Sequence, residues 1–208
     1  YPLNKMKSIK PHQAINHPKW KMGKKISVDS ATLMNKIFEV IEANKLFSID
    51  LKKIDILIHP QSLVHAIVKF KNGLTNFLYH EPDMAIPISN AIFNIKNNIN
   101  EFSYLNKFTN KKIKNLEFLK VEKKRFPVMR LIPKLNKHPS ASIIINASNE
   151  ILVDQFLKRK ISFNSIIRHL FSVLRDKNYK KYAIQVPSNL KKIYMIDKWS
   201  RETTFGVI

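Results

Sequence analysis

At 208 residues, with 44% hydrophobic and 25% charged side chains, the chain is long enough to bury a core and has an ordinary globular composition. It contains no cysteine, which excludes a disulfide framework or a thiolate metal site and points to a reducing cytoplasm; no apolar run approaches the ~18 residues of a membrane span, and Tyr1–Lys5 lacks a signal-peptide pattern. Thirty-seven Lys and Arg against 15 Asp and Glu leave a net charge of +22, but the lysines are spread along the chain instead of clustering as a nucleic-acid footprint would, and abundant Asn and Ile with scarce Gly suggest A/T-rich codons.

Residues 1–24, with Pro2, Pro11 and Pro18 among lysines and asparagines, read as a loop or lid with a short helix near Pro11–Ile15. The spacing then predicts a helix over Ser30–Phe47, capped by Asp29 or Ser30. Leu33, Met34, Ile37, Phe38, Val40 and Ile41 fall on one side of it at a 3.6-residue period. Ile54–Ile58 is a β-branched run and reads as a strand. Leu63–Phe70 alternates and continues past Lys71-Asn72-Gly73 into Leu74–Tyr79, a hairpin pattern, and Pro82 and Pro87 close the block. Residues 94–116 are heavy in Asn and Lys and read as a linker. From about Phe126 the pattern is helical again, with Pro133 and Pro139 separating its pieces. Ser140–Lys158, Asn164–Lys177 and Leu190–Ser200 are the predicted helices of a small bundle.

The chemistry concentrates between His17 and Glu42. On a helical wheel Asn35, Glu39 and Glu42 share a face opposite the apolar stripe, with Lys36 beside them. Ser30, at the predicted helix start, lies where free N–H groups and the helix dipole favour an anion. Hydroxyl, amide and ammonium together make a phosphate cradle. Glu39, one turn beyond Asn35, is placed to hold a divalent cation, and Mg²⁺ takes only one or two protein carboxylates. The same spacing also describes the wet face of an amphipathic helix with i,i+3 and i,i+4 pairs, and Ser30 also fits a plain N-cap. Trp20 and Met22, between lysines and next to Gly23, fit a lid that lays an aromatic plane over a ligand, while Trp20 equally fits a core anchor. His17 is a phosphate donor or a loop residue. On spacing alone these alternatives stay open.

The string His17–Lys36 closely resembles the flexible loop and following helix of the 1-deoxy-D-xylulose 5-phosphate reductoisomerase family, which acts in the methylerythritol phosphate route to isoprenoids. The similarity continues in order through Glu39-Val40-Ile41-Glu42-Ala43, Ile58-His59-Pro60-Gln61-Ser62-Leu63-Val64-His65, Glu81-Pro82-Asp83-Met84 with Pro87-Ile88, Phe126-Pro127, and Asn146-Ala147-Ser148-Asn149-Glu150. The resemblance implies an α+β fold: a catalytic domain over 1–93, with a small sheet, helices and a flexible loop at 17–25, then a linker over 94–118 and an α-helical bundle over 119–208. It implies that His17, Ser30, Asn35 and Lys36 hold a substrate phosphate. Glu39 would be one of three carboxylates around Mg²⁺ or Mn²⁺ as well as a substrate contact, and Glu39, Trp20 and Lys36 would form the catalytic set. Met22, Gly23 and Met84 would face NADPH, with Ser62 and His65 near them. The implied reaction rearranges and reduces 1-deoxy-D-xylulose 5-phosphate to 2-C-methyl-D-erythritol 4-phosphate. The implied setting is a cytoplasmic homodimer with no nucleic-acid or membrane partner.

The family's first part has no counterpart. With Gly only at 23, 73 and 206, no strand, Gly-rich turn and helix for a dinucleotide can be formed. The Asp-Ser-Glu element carrying the family's other two metal carboxylates is missing, as is its Ser-Gly-Gly segment, and the chain does not start with Met. The expectation is therefore a fragment that neither binds NADPH tightly nor turns over substrate alone. The rival from another class is a basic nucleic-acid-binding module, which needs clustered Lys/Arg, stacking aromatics and steep salt dependence. A third reading is a scaffolding fragment whose strands pair with another subunit.

Overall fold

The apolar positions between Leu33 and Ile41 do fall on one buried stripe, yet the backbone does not run through them as one helix starting at Ser30. A computed structural model describes residues 3–16, 22–93, 115–135 and 137–208. After a 3₁₀ turn over Leu3–Ser8 comes α1 (Pro11–Ala14), which starts with Pro where no N–H is needed and whose Gln13 side chain accepts from the Lys10 N–H at 2.9 Å. Helix α2 (Lys24–Thr32) and helix α3 (Met34–Phe47) follow, joined through Leu33 in the left-handed conformation at φ 65° and ψ 10°. The expected helix start is thereby corrected. Asp29 lies inside α2, Ser30 sits in its last turn with its carbonyl accepting from Leu33 N–H at 3.1 Å, and neither caps a helix. The Thr32 hydroxyl does that work, accepting from Met34 N–H at 3.4 Å and donating to the Asp29 carbonyl at 3.1 Å. The expected loop over 17–25 also ends earlier, because Lys24 and Lys25 are already helical.

A left-handed leucine costs about 1–2 kcal/mol of backbone energy. It is tolerated because the side chain is buried, as are Met34, Ile37 and Val40 on the same stripe. Leu33→Gly therefore releases the backbone cost but forfeits more than that in burial, since truncating a core leucine costs about 2–5 kcal/mol. Chemical denaturation should show a net loss of about 2 kcal/mol; a glycine variant as stable as the parent would mean that the joint is not held by its side chain.

Helices α2 and α3 belong to a unit that, among the described residues, comprises 3–16, 22–56 and 122–208. Its second part contains a 3₁₀ turn (Pro127–Leu131), α5 (Ile132–Leu135), α6 (Ala141–Leu157), α7 (Phe163–Val173), α8 (Tyr179–Ala183) and α9 (Leu190–Gly206); α4 lies in the other unit. Helix α6 is the axis of this core, buried on several sides through Ile144, Ile145, Ala147, Ser148, Asn149, Leu152, Val153 and Phe156, and it packs on α2, α7 and α9. A helix apolar nearly all round is one that other elements surround. Phe156 meets Phe163 edge-on at 5.6 Å, and Arg201 of α9 donates to Asp197 at 2.7 Å and to Glu150 of α6 at 2.5 Å. The Asn189 side chain starts α9 by accepting from Lys192 N–H, and the helix runs past the predicted Ser200 end. Helix α7 stops at Val173, short of the predicted Lys177.

On α7, burial and the neighbouring Arg168 cation hold the His169 imidazole below its ordinary range, outweighing a backbone hydrogen bond at Val207 that raises it. The fold thus prefers neutral His169. Its contribution to stability is intact above the unfolded value of about 6.5 and is lost as pH falls from there through the lower folded value. Urea midpoints measured from neutral to mildly acidic pH should fall less steeply for His169→Gln than for the parent; identical slopes would remove His169 from the acid response.

The other unit comprises the described residues of 57–121. The strand expected over Ile54–Ile58 shortens to β1 (Leu57–Ile58), because Leu51–Lys53 form a 3₁₀ turn and Ile56 is used for burial. β1 pairs antiparallel with β4 (Leu119–Lys120), Leu57 opposite Lys120. The hairpin forms as the sequence predicts, β2 (Val64–Lys69) against β3 (Thr75–Tyr79), irregular in register between Val64 and Ala66. Its turn needs Gly73, at φ 89°, and is tied by Leu74 N–H donating to the Asn72 side chain at 3.1 Å. Helix α4 (Ala85–Phe93) was not predicted: Pro87 sits in its first turn, where a missing N–H costs nothing, and the Asp83 carboxylate accepts from Ala85 N–H at 2.9 Å. The architecture is α+β. Contacts group the chain differently from the sequence-based boundaries at 93 and 118, setting α2 and α3 with the C-terminal helices; residues 94–114 of the expected linker lie outside the described residues.

Candidate functional site

Breaking the helix at Leu33 gives α3 its own N-terminus. There the first N–H groups lack intrahelical partners and the dipole is positive. Asn35 and Lys36 stand in this first turn, and both reach Glu39: the Asn35 amide donates to Oε1 at 2.7 Å and the Lys36 ammonium to Oε2 at 2.7 Å. These are the i,i+4 and i,i+3 spacings that bring side chains together on a helix. The Lys36 and Glu39 side chains are 41% and 43% exposed, so the ion pair contributes at most about 1 kcal/mol and a competing ligand displaces it cheaply. Chemically, the cluster offers a cation, an amide and helix N–H groups to an anion, and one hard carboxylate to a cation.

Ser30 lies half-buried on the other side of the joint from Asn35 and Lys36, and Glu42 is exposed further along α3. Gly23 directly precedes α2 at φ −60°, next to Met22, and among the described residues a Cβ built on it meets nothing within 4 Å. The fold itself therefore does not require glycine there. His17 and Trp20 lie outside the described residues. In the other unit Met84 directly precedes α4 and is exposed. Ser62 has φ 54°, its N–H donating to the His59 carbonyl at 3.0 Å. His65 stacks on His80 with ring centroids 3.7 Å apart, and its Nε2–H donates to the His80 carbonyl at 3.1 Å. Among the described residues no three His, Asp or Glu side chains come together as a metal cluster. Glu39 fits Mg²⁺ or Mn²⁺ as one oxygen ligand of a larger set.

One contact was beyond the reach of spacing. The Asp29 carboxylate, 1% exposed, takes the Lys25 ammonium on Oδ2 at 2.7 Å and the Asn149 amide on Oδ1 at 2.7 Å. Asn149 belongs to the Asn146–Glu150 string, but with the partners 120 positions apart in sequence only the fold reveals the pair.

The sequence matches two family models, the DXP reductoisomerase C-terminal domain over residues 80–203 and the 1-deoxy-D-xylulose 5-phosphate reductoisomerase C-terminal domain over residues 1–47. The 1-deoxy-D-xylulose 5-phosphate reductoisomerase of Pelagibacter ubique is 40% identical over 203 residues, 95% of this chain and 50% of that protein. The one from the Wolbachia of Brugia malayi is 43% identical, covering 100% of this chain and 52% of that protein. Among solved structures, the Zymomonas mobilis reductoisomerase in complex with NADPH is similar with a TM-score of 0.78 at 30% identity, over 99% of this chain and 51% of that one. A reductoisomerase in complex with NADPH, fosmidomycin and magnesium reaches 0.84 at 30% identity, over 100% of this chain and 51% of that one. The chain thus spans about half the length of these relatives. Such matches lend no support to the nucleic-acid-binding alternative. Two family models and relatives matching along nearly the whole sequence leave one assignment: the chain belongs to the 1-deoxy-D-xylulose 5-phosphate reductoisomerase family, in its C-terminal portion.

Proposed function

We propose that this chain is the phosphate-holding and metal-contributing portion of a 1-deoxy-D-xylulose 5-phosphate reductoisomerase. The intact protein would convert that sugar phosphate to 2-C-methyl-D-erythritol 4-phosphate using NADPH and Mg²⁺ or Mn²⁺. The observation that carries this reading is the Asn35–Glu39–Lys36 cluster at the start of α3, in a family whose solved relatives hold NADPH, fosmidomycin and magnesium. Lys36, Asn35, Ser30 and the first N–H groups of α3 take the phosphate, with His17 as a further donor. Because the phosphate does not react, its binding energy serves to align the carbons that do. Glu39 gives up its helix partners and contributes one carboxylate. When bound, the metal supplies Lewis-acid polarisation and NADPH supplies hydride. By the resemblance Trp20 has the role of excluding water from the substrate and Met22 and Gly23 a role toward the nicotinamide; Met84, in the other unit, is assigned its nicotinamide role on the resemblance alone. The protein works as a cytoplasmic homodimer, and the dinucleotide fold and the remaining metal carboxylates come from upstream sequence.

Joining the adjoining upstream coding sequence to this chain and following NADPH absorbance with 1-deoxy-D-xylulose 5-phosphate and Mg²⁺ tests the proposal. Metal-dependent oxidation by the joined protein and none by the 208-residue chain alone is the expected result. A joined protein that folds and shows no oxidation overturns it.

A further inference from the structure

The αL joint at Leu33 leaves Ser30 at the end of one helix and Asn35 and Lys36 at the start of the next. Their mutual placement is set by whatever fixes the end of α2. That end is fixed from the side by a buried hydrogen bond: Asn149 of α6, fully buried, donates its amide at 2.7 Å to Asp29, the residue immediately before Ser30. The orientation of the amide follows from its partner, since a carboxylate can only accept. Among the described residues the amide oxygen of the same side chain, Asn149 Oδ1, has no hydrogen-bond partner and neither has the neighbouring Ser148 hydroxyl, although both are buried. Among the described residues the Asn149 side chain thus makes one hydrogen bond, to Asp29, at a buried position where an apolar residue of the same shape would avoid an unpaired oxygen.

We infer that Asn149 and Asp29 are positioning residues for the anion site, a clasp that holds the last turn of α2 so that Ser30 meets the first turn of α3. Lys25 is the secondary partner: its side chain is 44% exposed, and it lies on the same helix as Asp29, so it cannot fix α2 against α6. The inference rests on the reading of Ser30, Asn35 and Lys36 as the phosphate cradle, and it adds what aligns them.

Sulfate serves as the probe, because its charge is constant across the working pH range and its binding does not require turnover. Titration of the labelled 208-residue chain, followed through the amide signals of Ser30, Asn35 and Lys36, gives its affinity, and urea melts give the stability of each variant. Asn149→Leu, which removes the donor at constant shape, is expected to weaken sulfate on the order of tenfold, as misplacing binding groups does. Asp29→Ala removes the acceptor from the α2 side, should do the same, and serves alone if Asn149→Leu does not fold. Asp29→Asn keeps an oxygen for the Asn149 amide and should bind sulfate within about twofold of the parent. Leu170→Ala, which opens a cavity in α7, a helix that carries neither clasp residue, should lower stability and leave sulfate affinity unchanged. Should the clasp variants lose stability but bind sulfate like the parent, or weaken no more than Leu170→Ala, the inference is overturned and the phosphate reading stands. A parent chain whose Ser30, Asn35 and Lys36 signals ignore sulfate brings down both.

Discussion

Glu39→Gln in the joined protein should depress metal-dependent NADPH oxidation on the order of 10³-fold, the scale of losing a group that stabilises developing charge. The substitution keeps the length of the side chain and leaves it able to accept from one of its two present donors, Asn35 or Lys36. Because the pair it disturbs is more than one-third exposed on both sides, folding should change by less than about 1 kcal/mol. The discriminating reading is the Mg²⁺ dependence. A carboxylate that ligates the cation leaves a variant needing far more Mg²⁺ for half-maximal rate. An unchanged Mg²⁺ requirement with a lowered rate would assign Glu39 to orienting Lys36 and Asn35 and remove it from the metal.

Lys36→Met should act on substrate affinity instead. A charge-assisted hydrogen bond to phosphate contributes about 2 kcal/mol, equivalent to roughly thirtyfold in KM. The control is 1-deoxy-D-xylulose, which lacks the phosphate. Parent and variant should handle it equally poorly, because the ammonium has nothing to hold. If the variant loses as much on the unphosphorylated sugar as on the phosphate, Lys36 acts through its ion pair with Glu39 and not on the phosphate.

The contrast between these side chains and their surroundings shows what a sequence can and cannot announce. Asn35, Lys36 and Glu39 were legible because helical spacing alone brings i, i+3 and i+4 together, wherever the helix begins. The hairpin was legible because Lys71-Asn72-Gly73 interrupts a period of two. The break at Leu33 was not, since neither Gly nor Pro marks it; burial of the leucine overrides a local backbone cost, and this is a property of the packed core. Ser30 was consequently placed on the wrong helix end. Pro87 was read as a terminator although it opens α4, because proline is at home in a first turn and local sequence does not say which side of it the helix lies. The Ile54–Ile58 run looks like a strand, but only Leu57–Ile58 pair, since Ile54 closes the 3₁₀ turn over Leu51–Lys53 and Ile56 is buried. Asp29 and Asn149 form a contact that no periodicity encodes.

The hairpin has a practical side. Val68, Phe70, Leu74, Phe77 and Leu78 are all about half or more exposed on this chain, an adhesive surface of the kind that drives strands to associate. What opposes adhesion is the net charge of +22, uninformative about ligands but decisive for colloidal behaviour, since like-charged copies repel. That repulsion reaches about 10 Å at 0.1 M salt and about 3 Å at 1 M. The chain's shelf life in solution is therefore governed by ionic strength, and the lysines scattered over its surface act as its solubiliser.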